Sequence, residues 1–250
     1  MARLTTNGFG GSRPATVDRR VWGSSSILVR MVTKALIFDF DGLLMDTEST
    51  MLASWRYEWQ QHQLELAADG FFADHGGDVS EARYAALGEA VGPTYDRARS
   101  HARRMAYRQQ LQAALDLSPG IRDWLDEAAR LGLRLAVASS SPVSWVTGNL
   151  DRVGYLDRFE QLACGDEVPT VKPDPAVYLL ALRRLGLSAE ETIAFEDTPH
   201  GVAAARSAGL RCIAIPNPHT DPARFTAADL VLSSAADRPL SEVIGTPTGG

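Results

Sequence analysis

The sequence predicts an α/β fold, a doubly wound parallel sheet with an inserted α-helical cap domain. Two observations carry this. Beyond Pro119-Gly120, short apolar runs alternate with helical segments, the order that builds a parallel sheet with helices on both faces. The first apolar run, Lys34–Phe40 (KALIFDF), is separated from that series by a helical stretch from Ser49 to about Leu115. An insert at that point caps the carboxyl ends of the strands, where such sheets bind ligands.

The elements follow in order. Lys34–Phe40 is a continuous apolar run ending in acids, as a strand buried on both faces requires. After the insert, Ile121–Leu131 is an amphipathic helix and Arg134–Ala138 a strand. Pro142–Val153 is a helix, Phe159–Ala163 a strand, Asp174–Leu185 a helix and Thr192–Phe195 a strand. His200–Ala208 is a helix closed by Gly209, followed by strands Arg211–Ile215 and Asp229–Leu232. The expected division is a core of residues 31–48 and 116–245, a cap of residues 49–115 and a tail of residues 246–250. Residues 1–30 are rich in Gly, Ser, Thr and Arg without periodicity and read as a disordered extension, or as a start codon placed ahead of Met31. A transit peptide is the less favoured reading, because no amphipathic apolar face is present.

The 250 residues suffice for one large domain, or one domain with an insert. A net charge of −6 argues against broad nucleic-acid or membrane-surface binding. No apolar stretch reaches the roughly 20 residues needed to cross a bilayer. Cys164 and Cys212 lack CxxC spacing and read as buried thiols of a cytoplasmic protein. Of 25 basic residues only Lys34 and Lys172 are lysines, which draws attention to each.

The acids and small polar residues fall at strand ends. Asp39 and Asp41 follow the first strand, Ser139-Ser140-Ser141 the second, and Glu196-Asp197 the strand TIAF. Lys172 lies in the loop VKPDP at the same edge. Each feature alone has an ordinary explanation: a D-x-D-G turn, a helix N-cap, a loop, a surface lysine. Together they describe phosphoryl transfer. Converging carboxylates need a cation, and hard oxygen ligands suit Mg²⁺. Hydroxyls at a helix start suit a phosphate, and a lysine adds positive charge beside it.

FDFDGLLMDTE, ASSS, VKPDP and FEDTPHGVAAARSAG resemble the four ordered motifs of the haloacid dehalogenase-like (HAD) hydrolase superfamily, nearest its β-phosphoglucomutase-like and sugar-phosphate phosphatase branch. The resemblance runs from about Lys34 to Pro216 and implies a Rossmann-like core. It implies Asp39 as the nucleophile that becomes an aspartyl-phosphate, and Asp41 as general acid and then base. Ser139 and the following Ser140 amide, with Gly42, would contact the phosphate, and Lys172 would pair with Asp39 and the phosphate. Asp197, Asp39 and the backbone carbonyl of Asp41 would hold Mg²⁺, with Glu196 supporting them. Within the resemblance, dehalogenases and phosphonatases lack an acid at the Asp41 position, and phosphonatases need a cap lysine, which residues 49–115 do not contain.

The expected activity is hydrolysis of a small phosphorylated metabolite. In β-phosphoglucomutase a cap arginine shortly after a Gly holds the second phosphate. The stretch His75–Glu81 has none at that spacing and the nearest is Arg83, so a phosphosugar mutase is the first alternative. A non-catalytic regulatory protein on the same fold is the second. His75 and Arg83 are the cap residues expected to meet substrate. Trp55 and Trp59 read as helix-packing residues. Arg97, His101, Arg104 and Arg108 share one helical face, with Ala98, Ala102 and Met105 on another. That basic face reads as solvated, with a lip that steers anionic substrates as the functional alternative. Oligomeric state has no signal.

Overall fold

Four consecutive apolar residues with no polar neighbour to turn outward make the first strand a central one. In the computed structural model β1 (Ala35–Phe38) is fully buried. The model describes Met1 and residues 33–67, 70–72 and 79–245. The extension expected before Met31 (apart from Met1), the tail 246–250 and His75 lie outside these residues. The described residues from 33 onward belong to one compact unit, Met31–Gly250.

Strands β2 (Arg134–Ala138), β3 (Gln161–Ala163), β4 (Thr192–Glu196), β5 (Arg211–Ala214) and β6 (Leu230–Val231) complete a six-stranded sheet in the order β3-β2-β1-β4-β5-β6. All the pairings are parallel. The predicted doubly wound α/β fold is therefore the observed one. The order reverses between β1 and β4, which is where a parallel sheet opens a ligand crevice.

Period-two alternation sorts the strand residues by size. Leu36, Phe38, Leu135, Val137, Ile193, Phe195 and Ile213 form one face. It packs on α4 (Ile121–Arg130), α5 (Val143–Arg152) and α8 (Leu240–Gly245). Ala35, Ala136, Ala138, Ala194, Cys212 and Ala214 lie in the cluster on the other face. Their small side chains let α6 (Ala176–Leu185) and α7 (Pro199–Ser207) pack closely through Ala181, Ala204 and Ala205. Both cysteines are free and buried. As expected, Gly209 closes α7 with a left-handed φ of 83°.

Between β1 and α4 lie α1 (Thr47–Gln60), α2 (Ser80–Val91) and α3 (Arg97–Ala113). Asp46 caps α1 by accepting from the Ser49 amide, and Asp96 caps α3 in the same way through Arg99. These helices enclose their own small cluster of Leu52, Trp55, Phe71 and Tyr84, with Trp59 packed against it. Trp55 and Trp59 are thus packing residues, as expected. The helix α3 departs from expectation. Ala98, Ala102 and Met105 are exposed, whereas Arg104 is 3% exposed and Ser100 1%. Of the face expected to be solvated, Arg104 is turned inward, Arg97 and Arg108 are half-buried and His101 is exposed. The reason lies on α1. Glu58, fully buried, accepts from Ser100 and from both Nε and Nη2 of Arg103. The Trp55 ring lies 4.2 Å from the Arg104 guanidinium. Among the described residues, no helix is long and apolar enough to cross a membrane.

Candidate active site

Each candidate residue stands where a strand stops. Asp39 follows β1, and its amide completes the ladder by donating to Phe195 O at 3.0 Å. The residue is 6% exposed. Glu196 ends β4 and Asp197 follows it, with exposures of 0% and 1%. Lys172 reaches into this group from the loop before α6. Its Nζ donates to Asp39 Oδ1, to Glu196 Oε1 at 2.6 Å and to Ala138 O at 2.8 Å. Glu196 is held further by the Tyr178 hydroxyl at 2.5 Å, and its Oε2 accepts from the Asp197 amide at 3.1 Å. Asn217 donates to Asp197 Oδ2 at 2.8 Å.

The electrostatics follow from burial. Burial pushes the Asp39 carboxyl up to about 8; Lys172 opposes that rise, and the Glu196 and Asp41 charges add to it. Asp197 is raised well above the carboxylate range by burial and then by the charges of Asp39 and Glu196. Burial works against the Lys172 cation, but Asp39 and Glu196 outweigh it and hold the ammonium above its ordinary value. One lysine does not neutralise three buried carboxylates whose oxygens lie within 4.8 Å of one another. A hard divalent cation fits this all-oxygen set and its excess negative charge.

Asp41 stands apart from that group. Its carboxylate accepts from Thr47 Oγ1 at 2.9 Å, Ser141 Oγ at 2.6 Å and Trp145 Nε1 at 3.0 Å. Three elements therefore set its orientation: α1, the loop after β2, and α5. Ser139 is buried, and its Oγ accepts from the Ser141 amide at 3.0 Å. Ser139 and the exposed Ser140 line a cleft of about 210 Å³ with Asp39, Asp41, Lys172 and Asp197. Glu48, also on its wall, is pushed up to about 7 by burial and then by the Asp41 charge.

Gly42 needs a correction. Gly42 was expected to contact the phosphate, but its amide donates to Met45 O at 2.8 Å. The glycine is required for a different reason. Its φ is +85°, and a Cβ there would lie 2.0 Å from Asp197 Oδ2. Arg83 stacks 3.6 Å over the Phe71 ring and donates to Phe71 O at 2.7 Å, on a separate cavity of the helical insert. Trp145, Tyr178 and Asn217 escaped the sequence reading, because their partners lie 104, 18 and 20 residues away in the chain; Thr47, Glu48 and Ser141 fall within the motifs but were given no role of their own.

The model of the haloacid dehalogenase-like hydrolases matches residues 36–215. The chain belongs to that family. Among its relatives in the HAD family, YhcW of Bacillus subtilis is 35% identical over 83% of this chain and 94% of its own. A phosphorylated carbohydrates phosphatase of Thermotoga maritima is 32% identical, over 72% and 83%. The crystal structure of CbbY from Rhodobacter sphaeroides in complex with phosphate superposes with a TM-score of 0.64 at 30% identity, covering 82% of this chain and 96% of that one.

Proposed function

We propose that this hydrolase is a Mg²⁺-dependent phosphatase of small phosphate monoesters, sugar phosphates first among them, with α1–α3 serving as its cap. One observation carries the reading: Lys172 bridges Asp39 and Glu196 beside Asp197, while Asp41, two residues on, faces the same cleft on separate hydrogen bonds. The relatives named for phosphatase activity and for bound phosphate support it.

In this mechanism Lys172 fixes the Asp39 carboxylate, and an Asp39 oxygen attacks phosphorus. The ester P–O bond breaks as Asp41 gives its proton to the leaving alkoxide. Ser139 and Ser140 hold the phosphoryl oxygens. Asp41 then takes a proton from the water that attacks the aspartyl-phosphate, releasing orthophosphate and restoring Asp39. Asp39, Asp197 and the Asp41 carbonyl would hold Mg²⁺, with Glu196 supporting Lys172 and the Asp197 amide. When bound, the cation offsets the charge of the carboxylates and of the transferring phosphoryl group.

The test is phosphate release from a panel of sugar, polyol and nucleotide monophosphates with Mg²⁺, with Asp39→Asn as control. The expected loss in Asp39→Asn is roughly 10⁴-fold or more. Equal release by wild type and Asp39→Asn would sink the reading. Interconversion of sugar phosphates without net phosphate release would replace it with the mutase.

A further inference from the structure

The segment after β5, Ile215-Pro216-Asn217-Pro218-His219-Thr220, touches both a candidate metal carboxylate and the helical insert. An Asn between two prolines favours a turn held by its own side chain. Asn217 is 5% exposed, and its Oδ1 accepts from the His219 amide at 3.0 Å and from Thr220 Oγ1 at 3.1 Å. Its Nδ2 donates to Asp197 Oδ2 at 2.8 Å. One amide group thus fixes a carboxylate at one end and its own turn at the other.

Asp197 Oδ2 is confined from two sides. Asn217 donates to it, and it fills the space that a Cβ on Gly42 would enter at 2.0 Å. Oδ1 accepts no hydrogen bond among the described residues, which leaves it as the oxygen available to a cation. A donor fixed on one oxygen of a ligating carboxylate orients the other.

His219 carries the same turn to the insert. Its Nε2 lies 2.8 Å from Ser49 Oγ in the first turn of α1. Its ring stacks on Phe72, with centroids 5.0 Å apart and an interplanar angle of 18°. Phe72 meets Phe71 edge-on at 4.8 Å, and Phe71 belongs to the insert's own cluster with Trp55 and Tyr84. Packed rings and hydrogen bonds therefore run without a break from the interior of the insert to Asp197.

We infer that Asn217 is a positioning residue for Asp197 and that His219 ties this hold to the docked insert, so that contact between insert and core sets how tightly the chain holds a divalent cation. The inference rests on the reading of Asp197 as a cation ligand. Linkage makes the effect reciprocal: a bound cation steadies the insert on the core by as much as the docked insert tightens the cation.

The experiment titrates full-length wild type, Asn217→Ala, His219→Ala and Ser49→Ala calorimetrically with Mg²⁺ alone. Amide exchange in α1 is followed in EDTA and in Mg²⁺. Asn217→Ala is expected to weaken Mg²⁺ binding about tenfold or more. His219→Ala, whose lost contacts are to Ser49 and Phe72, is expected to weaken it roughly fivefold, and Ser49→Ala to act in the same direction. Mg²⁺ should slow exchange in the first turns of α1 in wild type, and His219→Ala should remove most of that slowing. Ser49→Ala suits a helix and keeps the test open if His219→Ala fails to fold. Wild-type affinity in Asn217→Ala overturns the positioning role. Wild-type affinity in both His219→Ala and Ser49→Ala, even with a lowered Tm, overturns the tie to the insert, as does α1 exchange indifferent to Mg²⁺. Phosphate release by wild type tests the phosphatase reading separately. Its failure with the Mg²⁺ ranking intact sinks that reading and leaves this inference, and a failed ranking in a chain that releases phosphate does the reverse. Wild type that binds no Mg²⁺ sinks both.

Discussion

Strand β1 is wholly buried and wholly apolar, whereas α3 buries Ser100 and Arg104 and turns Ala98, Ala102 and Met105 outward. The two faces of the sheet are packed by non-directional burial over strands joined by their backbone ladders. The insert is held in large part by directional contacts: Glu58 with Arg103 and Ser100, and Arg104 with Tyr84 and Ser54. The difference teaches where adjustment can occur. In the proposed function, the reacting groups stand on the part that packing makes rigid, beside an insert whose contacts are polar and can be exchanged one at a time.

The largest break in this comparison should come at the one charged group on which the rigid side depends. Lys172→Ala leaves Asp39 and Glu196 buried without their shared cation. Phosphate release is expected to fall roughly 10³-fold. Urea melts in EDTA should show a loss of about 3–5 kcal/mol. A variant with near-normal turnover would mean that Lys172 is not part of the machinery.

Next in size is the response to metal and pH. In the metal-free protein Asp39 is raised from 3.8 to about 8 and Glu48 from 4.5 to about 7. Between those limits the folded chain binds more protons than the unfolded chain, so stability falls as pH rises from about 4 to 8. In EDTA, Tm should therefore drop between pH 5 and pH 8. Mg²⁺ should restore roughly 5 °C or more at pH 8 and much less at pH 5, as calorimetric scans would record. A flat EDTA profile would contradict the charge excess argued for the site.

A smaller effect is expected on the polar side. Glu58→Ala removes the carboxylate shared by Arg103 and Ser100, and the half-exposed Arg103 can turn to water. The cost should be about 1–3 kcal/mol. Hydrogen exchange should place it in α1 and α3, with β1 and β4 unchanged. Uniform acceleration in the sheet as well would show that the two regions unfold as one unit.

Much of the rigid side was legible in the sequence. Acids that end apolar runs have no packing reason to be there, so Asp39, Glu196 and Asp197 declared a site before any contact was known. Lys172 stood out as one of two lysines among 25 basic residues. The insert was less legible, because helical periodicity tells which residues share a face but not which face turns inward. Ala98, Ala102 and Met105 looked like the inner face of α3. What overrides them is on α1, where Ser54, Trp55 and Glu58 offer a hydroxyl, an aromatic face and a carboxylate to arginines. Acceptors at i, i+1 and i+4 on one helix, opposite a basic stripe on another, were the available signal. Gly42 was placed at the phosphate only by the resemblance of its motif, yet steric contact with Asp197 is what requires a glycine there.

Asp41 joins the two regions, which makes the mildest substitution the sharpest probe of how they work together. It takes one hydrogen bond from the insert, through Thr47, and two from the core, through Ser141 and Trp145. Trp145→Phe keeps an aromatic ring beside the cluster on the large-residue face of the sheet and removes only the indole donor. Losing one hydrogen bond to a carboxylate is worth about 1–2 kcal/mol, or roughly a tenfold fall in kcat. Because Trp145 acts through Asp41, the loss should appear in kcat with KM little changed, and the pH profile of kcat should shift. Thr47→Val removes the donor on the insert side and should cost a similar factor, while Thr47→Ser restores it. If Trp145→Phe lowers Tm but leaves kcat and its pH profile alone, the indole is a packing residue. If Thr47→Val alone affects kcat, the acid–base group is set by the insert, and the chemistry depends on the polar side as well as on the sheet.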